Sequence, residues 1–509
     1  MKKQTLVLLV FIALKFILQY LVIAQGYDLH RDEYLHLDQA NHLAWGYLSV
    51  PPFTSWISLL IKILGNGVFW VRFFPALFGA LTMLIVWKTT DALGGKLFAK
   101  TLAATAFLFS AYVRINMLFQ PNSADAFFWT LLFFTLIRYF QTDSTKWLWY
   151  AATAFAFGLL NKYNIAFLAI GLTAAFLVTQ QRKIFAEKKL YFAILLAFLI
   201  ILPNLIWQWQ NGFPVVHHMK ELSETQLENV NRMDFVKEQI LFFIGSIFVL
   251  LGGLLALAVI PAFKKYRFVF WAFAFTLAVF IYLKAKGYYA IGLYPILLPF
   301  GGIYWEMKLL KKPILRLAFI ALPIVMFIPI LKLAFPIAPP QQIADNSQRM
   351  KKFGLLRWED GKDHALPQDF ADMIGWREMA LIVDKAYASI PNASENTLVL
   401  CDNYGQAGAI HYYSRFKNLH AVSFNADYLF WMPTNKRIFN VIAVKDLTDD
   451  DPKRIRERPL FQSIELAGQI ANPLAREYGT KIYIYKSAEA DINKRIEAEA
   501  EAKKSAWTK

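Results

Sequence analysis

Apolar runs of bilayer-spanning length recur through the first two-thirds of the 509-residue chain, separated by short polar gaps. Reading windows along it gives about eleven spans, at 5–24, 68–90, 98–115, 124–140, 147–161, 164–180, 190–210, 237–262, 266–284, 288–306 and 313–335. The pattern predicts a mainly α-helical polytopic membrane domain over residues 1–335. Beyond Pro336, Pro339 and Pro340 the pattern changes to that of a water-soluble fold. Strand-like runs stand at Thr397–Cys401, Ile438–Val444 and Lys481–Tyr485, with weaker ones near Ala421 and Ser463 and a helical stretch at 369–389. Such alternation predicts a small α/β domain over 336–487. Residues 488–509 are charged and rich in alanine, which predicts a solvated helix or frayed tail.

Composition supports the membrane reading, with 57% hydrophobic and only 18% charged residues. The first run follows Met1-Lys2-Lys3 as a signal peptide would, but no small-residue cleavage site comes after it, so it reads as a retained helix. The net charge of +17 is not spread as a nucleic-acid footprint. It gathers in the gaps holding Lys88 and Lys96, Arg182 to Lys189, Lys264 to Arg267, and Lys308 to Lys312, which marks those gaps as cytoplasmic. With that orientation the loops 25–67 and 211–236, the turn 116–123 and the carboxyl-terminal domain all lie outside. Cys401 is the only cysteine, so no intramolecular disulfide frames the outer domain.

The loop 25–67 carries the densest ionisable cluster, Asp28, His30, Arg31, Asp32, Glu33, His36 and Asp38. Charge beside a membrane costs free energy unless it is solvated, paired or used. Tyr34, Leu37, Asn41, Ala44 and Trp45 share a helical face, and a second apolar run covers Thr54 to Leu64 beyond Pro51-Pro52. The expectation is two helices lying on the membrane surface. Lys162, Lys284 and Lys286 sit in short outer turns against the positive-inside trend, and Arg72 opens the second span on the same side. An outer-leaflet phosphate suits such cations, with snorkelling to ordinary headgroups as the plain alternative. Asp125 starts the fourth span, either as a helix-capping carboxylate or as a second acid facing the same cavity. The spacing of Asp32 and His36 leaves open a divalent-cation site; no other cofactor is called for.

An acidic pair in the first outer loop, an Asp after the third span and a Lys-x-Tyr-Tyr segment before Leu-Tyr-Pro (Lys286 to Pro295) together resemble the protein O-mannosyltransferase and aminoarabinose-transferase superfamily. These are family 39-type membrane glycosyltransferases of the GT-C fold. His42 to Tyr47 with Pro51-Pro52, and Asn403 to Ala409, are similar to its bacterial branch. The resemblance implies catalytic roles for Asp32, Glu33 and Asp125. It also implies substrate-side roles for Lys162, Lys286, Tyr288, Tyr289, Arg72, Tyr404 and Gln406. The family's Glu-Lys-Pro element is replaced here by Ser49 to Phe53, which moves phosphate binding onto the lysines and puts an aminoarabinose substrate in doubt. The implied function is transfer of a sugar from a polyprenyl-phosphate donor to an envelope acceptor (lipid, polysaccharide or protein) by inverting single displacement. A lipid-linked saccharide flippase, or a ligase or polymerase using a lipid-pyrophosphate donor, are the alternatives.

Overall fold

The computed structural model describes residues 2–222, 231–433 and 436–508. The expected outer loop 211–236 therefore lies partly outside the described residues. Each of the eleven expected spans contains a helix, and among the described residues five helices have both the length and the apolar character to cross a bilayer. These are Lys3–Leu21, Val68–Ala92, Lys188–Gln210, Pro261–Tyr282 and Pro313–Ala334. Ile165–Leu177 with Gln180–Ala186 makes a sixth if that pair, bent by 107°, counts as one span.

Three expected spans are interrupted. The run 98–115 stops as a helix at Leu108 and continues as the short turn Tyr112–Ile115. The run 237–262 divides into Arg232–Leu241 and Ile247–Val259. The run 288–306 opens with the 3-10 segment Gly287–Leu293 before the helix Leu297–Lys308. Irregular backbone is tolerated at membrane depth only where its polar groups find partners inside the protein. They do here. Tyr112 Oη donates to the Ile291 carbonyl at 2.6 Å, and Gln239 Nε2 to the Gly287 carbonyl at 3.1 Å. Tyr294 Oη donates to Gln239 Oε1 at 2.8 Å. Close packing holds the same segment: a Cβ at Gly292 would lie 2.6 Å from the Trp129 ring.

We label the first helices α1 (Lys2–Leu21), α2 (Arg31–Asp38), α3 (Phe53–Ile63) and α4 (Val68–Ala92). The expected surface helix through Trp45 is shorter and deeper than its periodicity implied. It ends at Asp38 in a 3-10 turn, Gln39–Asn41, so Ala44 and Trp45 leave the face they were expected to share. Residues Glu33 to Asp38 are buried. A capping box starts α2: His30 Nδ1 accepts the Asp32 amide hydrogen while Glu33 Oε2 accepts that of His30 at 2.7 Å.

The carboxyl-terminal domain is a five-stranded sheet built from β1 (Thr397–Cys401), β2 (Ala421–Ser423), β3 (Asn440–Lys445), β4 (Phe461–Gln469) and β5 (Lys481–Ala488). Its order is β2-β1-β3-β5-β4, parallel among the first three and antiparallel at β3-β5 and β5-β4. The tail is a helix, as expected, largely exposed but docked along one edge. Ile492, Ile496 and Ala500 recur at every fourth position and are buried, the two isoleucines in one cluster with Leu398, Val422 and Val441. On the sheet's other face, one core runs from Ile410, Trp376 and Met379 into Tyr34 and Leu35 of α2 and on to Val71 and Phe74 of α4. The first loop is thus packed between the two halves of the molecule.

Candidate active site

The first turn of α2 sets two adjacent acids in different surroundings, because neighbours on a helix point about 100° apart. Glu33 turns inward and is fully buried. Its carboxylate accepts from Arg72 Nη1 at 2.6 Å, from the Phe119 amide at 2.7 Å and from the His30 amide at 2.7 Å. Arg72 Nη1 also donates to the Met117 carbonyl at 2.9 Å, and Arg72 lines a separate cavity of about 320 Å³, so these two expected site residues pair with each other away from the cavity that Asp32 lines.

Asp32 turns the other way and lines a cavity of about 620 Å³. Its Oδ1 accepts from Tyr404 Oη at 2.7 Å and its Oδ2 from Gln120 Nε2 at 2.9 Å. Burial alone would raise this carboxyl. The nearness of His30 and Arg31 and the hydrogen bond from the Tyr404 hydroxyl outweigh it and hold the group at about 2.

The cavity is amphipathic. Arg31, Arg114, Lys286 and Tyr288 line it besides Asp32. Its apolar wall runs along Phe327, Ile330 and Ala334 of the last spanning helix. Asp369 and Asp372 enter from the carboxyl-terminal domain; Asp369 pairs with Arg114, and Asp372 with Arg476 at 3.1 Å.

The remaining expected residues fall in two groups. Lys162, Asp125 and Tyr289 stand one layer behind the wall. Lys162 Nζ donates to Asn122 Oδ1 at 2.7 Å and lies 5.0 and 4.7 Å from the ring centres of Tyr288 and Tyr289. It reaches the cavity through Asn122 and Tyr288, which both line it. Asp125 accepts from Trp129 Nε1 at 2.9 Å and from Asn164 Nδ2 at 3.1 Å. Gln406, by contrast, is internal to the outer domain. It closes a capping box with Asn403 and donates to Glu477 at 2.6 Å, so it has no free group for a substrate.

The expected cation pair does not converge either. His36 is buried, with Nδ1 3.4 Å from Gln39 Oε1, while both Asp32 oxygens are bonded elsewhere. Among the described residues the convergent set is His30, Asp369 and Asp372, whose donor atoms lie within 4.8 Å of one another. His30 uses Nδ1 as acceptor from the Asp32 amide, which leaves the hydrogen on Nε2, 3.7 Å from Asp372 Oδ2. Each acid of this set also pairs with an arginine, Asp369 with Arg114 and Asp372 with Arg476.

Sequence reasoning placed His30 and Arg31 in the ionisable cluster without giving them a role, and it missed Arg114, Gln120, Asn122, Glu238, Asp369 and Asp372. Gln120 and Asn122 flank Pro121 just ahead of Asp125, a position that was a usable signal. Asp369 and Asp372 carried none, because their partners are more than 250 residues away in the chain for Arg114 and over 100 for Arg476.

Residues 49–207 match a family model described as dolichyl-phosphate-mannose-protein mannosyltransferase. The lipid A galacturonosyltransferase RgtD of Rhizobium johnstonii is 24% identical over 203 residues, 38% of this chain and 43% of its own length. An uncharacterized protein of Aquifex aeolicus is 27% identical over 281 residues, 52% of this chain and 54% of its own. The chain thus spans about half the length of these curated relatives. ArnT from Cupriavidus metallidurans, solved bound to undecaprenyl phosphate, superimposes with a TM-score of 0.63 at 15% identity, covering 94% of this chain and 97% of its own.

Proposed function

From the GT-C membrane fold that this chain shares with those proteins, we propose that it is a glycosyltransferase acting on a polyprenyl-phosphate sugar. One observation carries the reading. A single cavity is lined both by an ionised carboxylate and a lysine and by apolar residues of a helix long and apolar enough to cross a bilayer. An anionic headgroup on a long apolar tail is the ligand that matches both kinds of lining. RgtD is named for transfer to lipid A, and ArnT binds undecaprenyl phosphate, which supports an envelope acceptor and a lipid-phosphate donor.

In the proposed reaction the acceptor oxygen attacks the anomeric carbon. The bond from that carbon to the phosphate oxygen breaks, and its electron pair stays on the phosphate. The acceptor proton passes to Asp32. A carboxylate held at about 2 is too weak a base for a resting hydroxyl. It takes the proton only as carbon–oxygen bond formation acidifies that hydroxyl. Lys286 stabilises the charge growing on the departing phosphate. Single displacement inverts the sugar configuration, and the products are the glycosylated acceptor and the polyprenyl phosphate.

Two tests address this reading. Lys286→Ala removes a charge-assisted contact worth about 1.5–3 kcal/mol, so donor affinity should fall roughly 10- to 100-fold. Lys284 is the control. It is two residues away and outside the cavity wall, and Lys284→Ala should bind undecaprenyl phosphate as the wild type does. Equal behaviour of the two alanine variants in a calorimetric titration would return both lysines to headgroup contacts. The second test concerns sidedness: the cavity and outer domain face away from the cytoplasm. A cysteine placed after Ala338 should react with impermeant maleimide in intact cells, and protection until lysis would defeat the topology and the site together.

A further inference from the structure

We propose that Tyr404 is a positioning residue of the transfer site: carried by the outer domain, its hydroxyl couples the Arg31 guanidinium to the Asp32 carboxylate and fixes how that carboxylate faces the cavity. This rests on the reading of Asp32 given above and extends it, making the outer domain part of the reacting centre.

The hydrogen-bond chemistry leaves one arrangement. Arg31 Nη2 lies 2.8 Å from Tyr404 Oη, which lies 2.7 Å from Asp32 Oδ1. A guanidinium can only donate and an ionised carboxylate can only accept. The tyrosine's single hydrogen therefore points at Asp32 while its lone pair takes the arginine hydrogen. The guanidinium also sits over the Tyr404 ring, 4.8 Å from its centre, which fixes the ring as well as its hydroxyl.

Asp32 itself needs such support. It stands in the first turn of α2 with about a third of its side chain exposed, so its two side-chain torsions are not fixed by packing alone. Gln120 holds Oδ2 from the membrane half and Tyr404 holds Oδ1 from the outer half. Two donors on opposite oxygens fix the carboxylate plane and leave a lone pair on each oxygen for a substrate hydroxyl.

The helix that presents Tyr404, Tyr404–Tyr413, is shaped for close approach to α2. A Cβ at Gly405 would lie 2.3 Å from Arg31 Cγ, and one at Gly408 would lie 2.8 Å from Tyr34 Cβ. Glycines one turn apart thus open a groove in which α2 lies directly on the helix backbone. Any side chain at position 405 would push Arg31 away from the tyrosine.

A double-mutant cycle separates positioning from mere structural support. The assay uses synthetic undecaprenyl phosphates bearing mannose, galacturonic acid or aminoarabinose, and follows release of undecaprenyl phosphate from whichever the wild type consumes. Tyr404→Phe keeps the ring and loses the hydroxyl, so turnover should fall about 10-fold with donor KM unchanged. Placed in an Asp32→Asn background, the same change should alter the rate less than about twofold, because the group it acts through is already gone. Additive losses in the double variant, or unchanged turnover in Tyr404→Phe, would overturn the proposal. Full activity of Asp32→Asn alone would instead overturn the functional reading beneath it. The linkage is also read without any donor. The fluorine resonance of 3-fluorotyrosine placed at 404 should move in Asp32→Asn and in Arg31→Gln, but not in the remote surface variant Glu465→Gln. A resonance indifferent to Asp32 and Arg31 would defeat the proposal whatever the donor.

Discussion

Asp32→Asn should lower sugar transfer by about 10²-fold or more, the scale of losing a general base. The change preserves size and removes one negative charge, so packing in the first turn of α2 is retained. One of Gln120 and Tyr404 can still donate to the remaining amide oxygen while the other faces the new amide NH2, and no group is left to take the acceptor's proton as the new bond forms. Affinity for bare undecaprenyl phosphate should change little, because Lys286 and the apolar wall are untouched. The loss should also be the same from about pH 5 to pH 8. A carboxyl held at about 2 is ionised throughout that window, so wild-type activity cannot fall there through protonation of Asp32. Turnover within a few-fold of wild type, at normal protein levels, would remove Asp32 from the chemistry.

The neighbouring acid should fail in a different way. Glu33 and Arg72 form an ion pair at 2.6 Å with both side chains out of water. Removing one member of such a pair strands the other charge and costs about 3–5 kcal/mol. Glu33→Ala should therefore lower the unfolding temperature of the detergent-solubilised protein strongly, and Arg72→Ala should do the same. The Glu33→Leu, Arg72→Leu double variant strands no charge and should be more stable than either single alanine variant, even though the Phe119 and His30 amides lose their acceptor. Should Glu33→Gln unfold normally yet lose transfer, Glu33 would have a role in the reaction after all.

These contrasting expectations show where the sequence was legible. The acidic cluster marked the right loop, since seven ionisable groups beside a membrane demand an account. It could not separate Asp32 from Glu33, because which of two adjacent acids faces the cavity depends on where α2 begins and what packs on it. The strand at Thr397–Cys401 was readable to the residue, being a β-rich run with polar flanks. Gln406 was misread although Asn403-x-x-Gln406 is a capping-box pattern visible in the sequence. The docking of the tail helix was missed because charge and alanine content hid the four-residue recurrence of Ile492, Ile496 and Ala500. The acids at 369 and 372 were beyond reach, since only the docking of the carboxyl-terminal domain brings them to Arg114 and His30.

The apolar wall of the cavity has a consequence for what the protein can measure. Phe327, Ile330 and Ala334 belong to Pro313–Ala334, a spanning helix of which only 11% of the most apolar window is covered by the rest of the molecule. A donor seated with its phosphate near Lys286 would run its first isoprene units along this helix and release the remainder into the bilayer. No pocket of 620 Å³ could enclose a whole polyprenyl tail together with a sugar. Such a site grades the head of its lipid and the first few units behind it, and it is blind to chain length beyond them. Donors with tails of very different length should then compete on nearly equal terms, with the membrane serving as the solvent for the part the protein never touches.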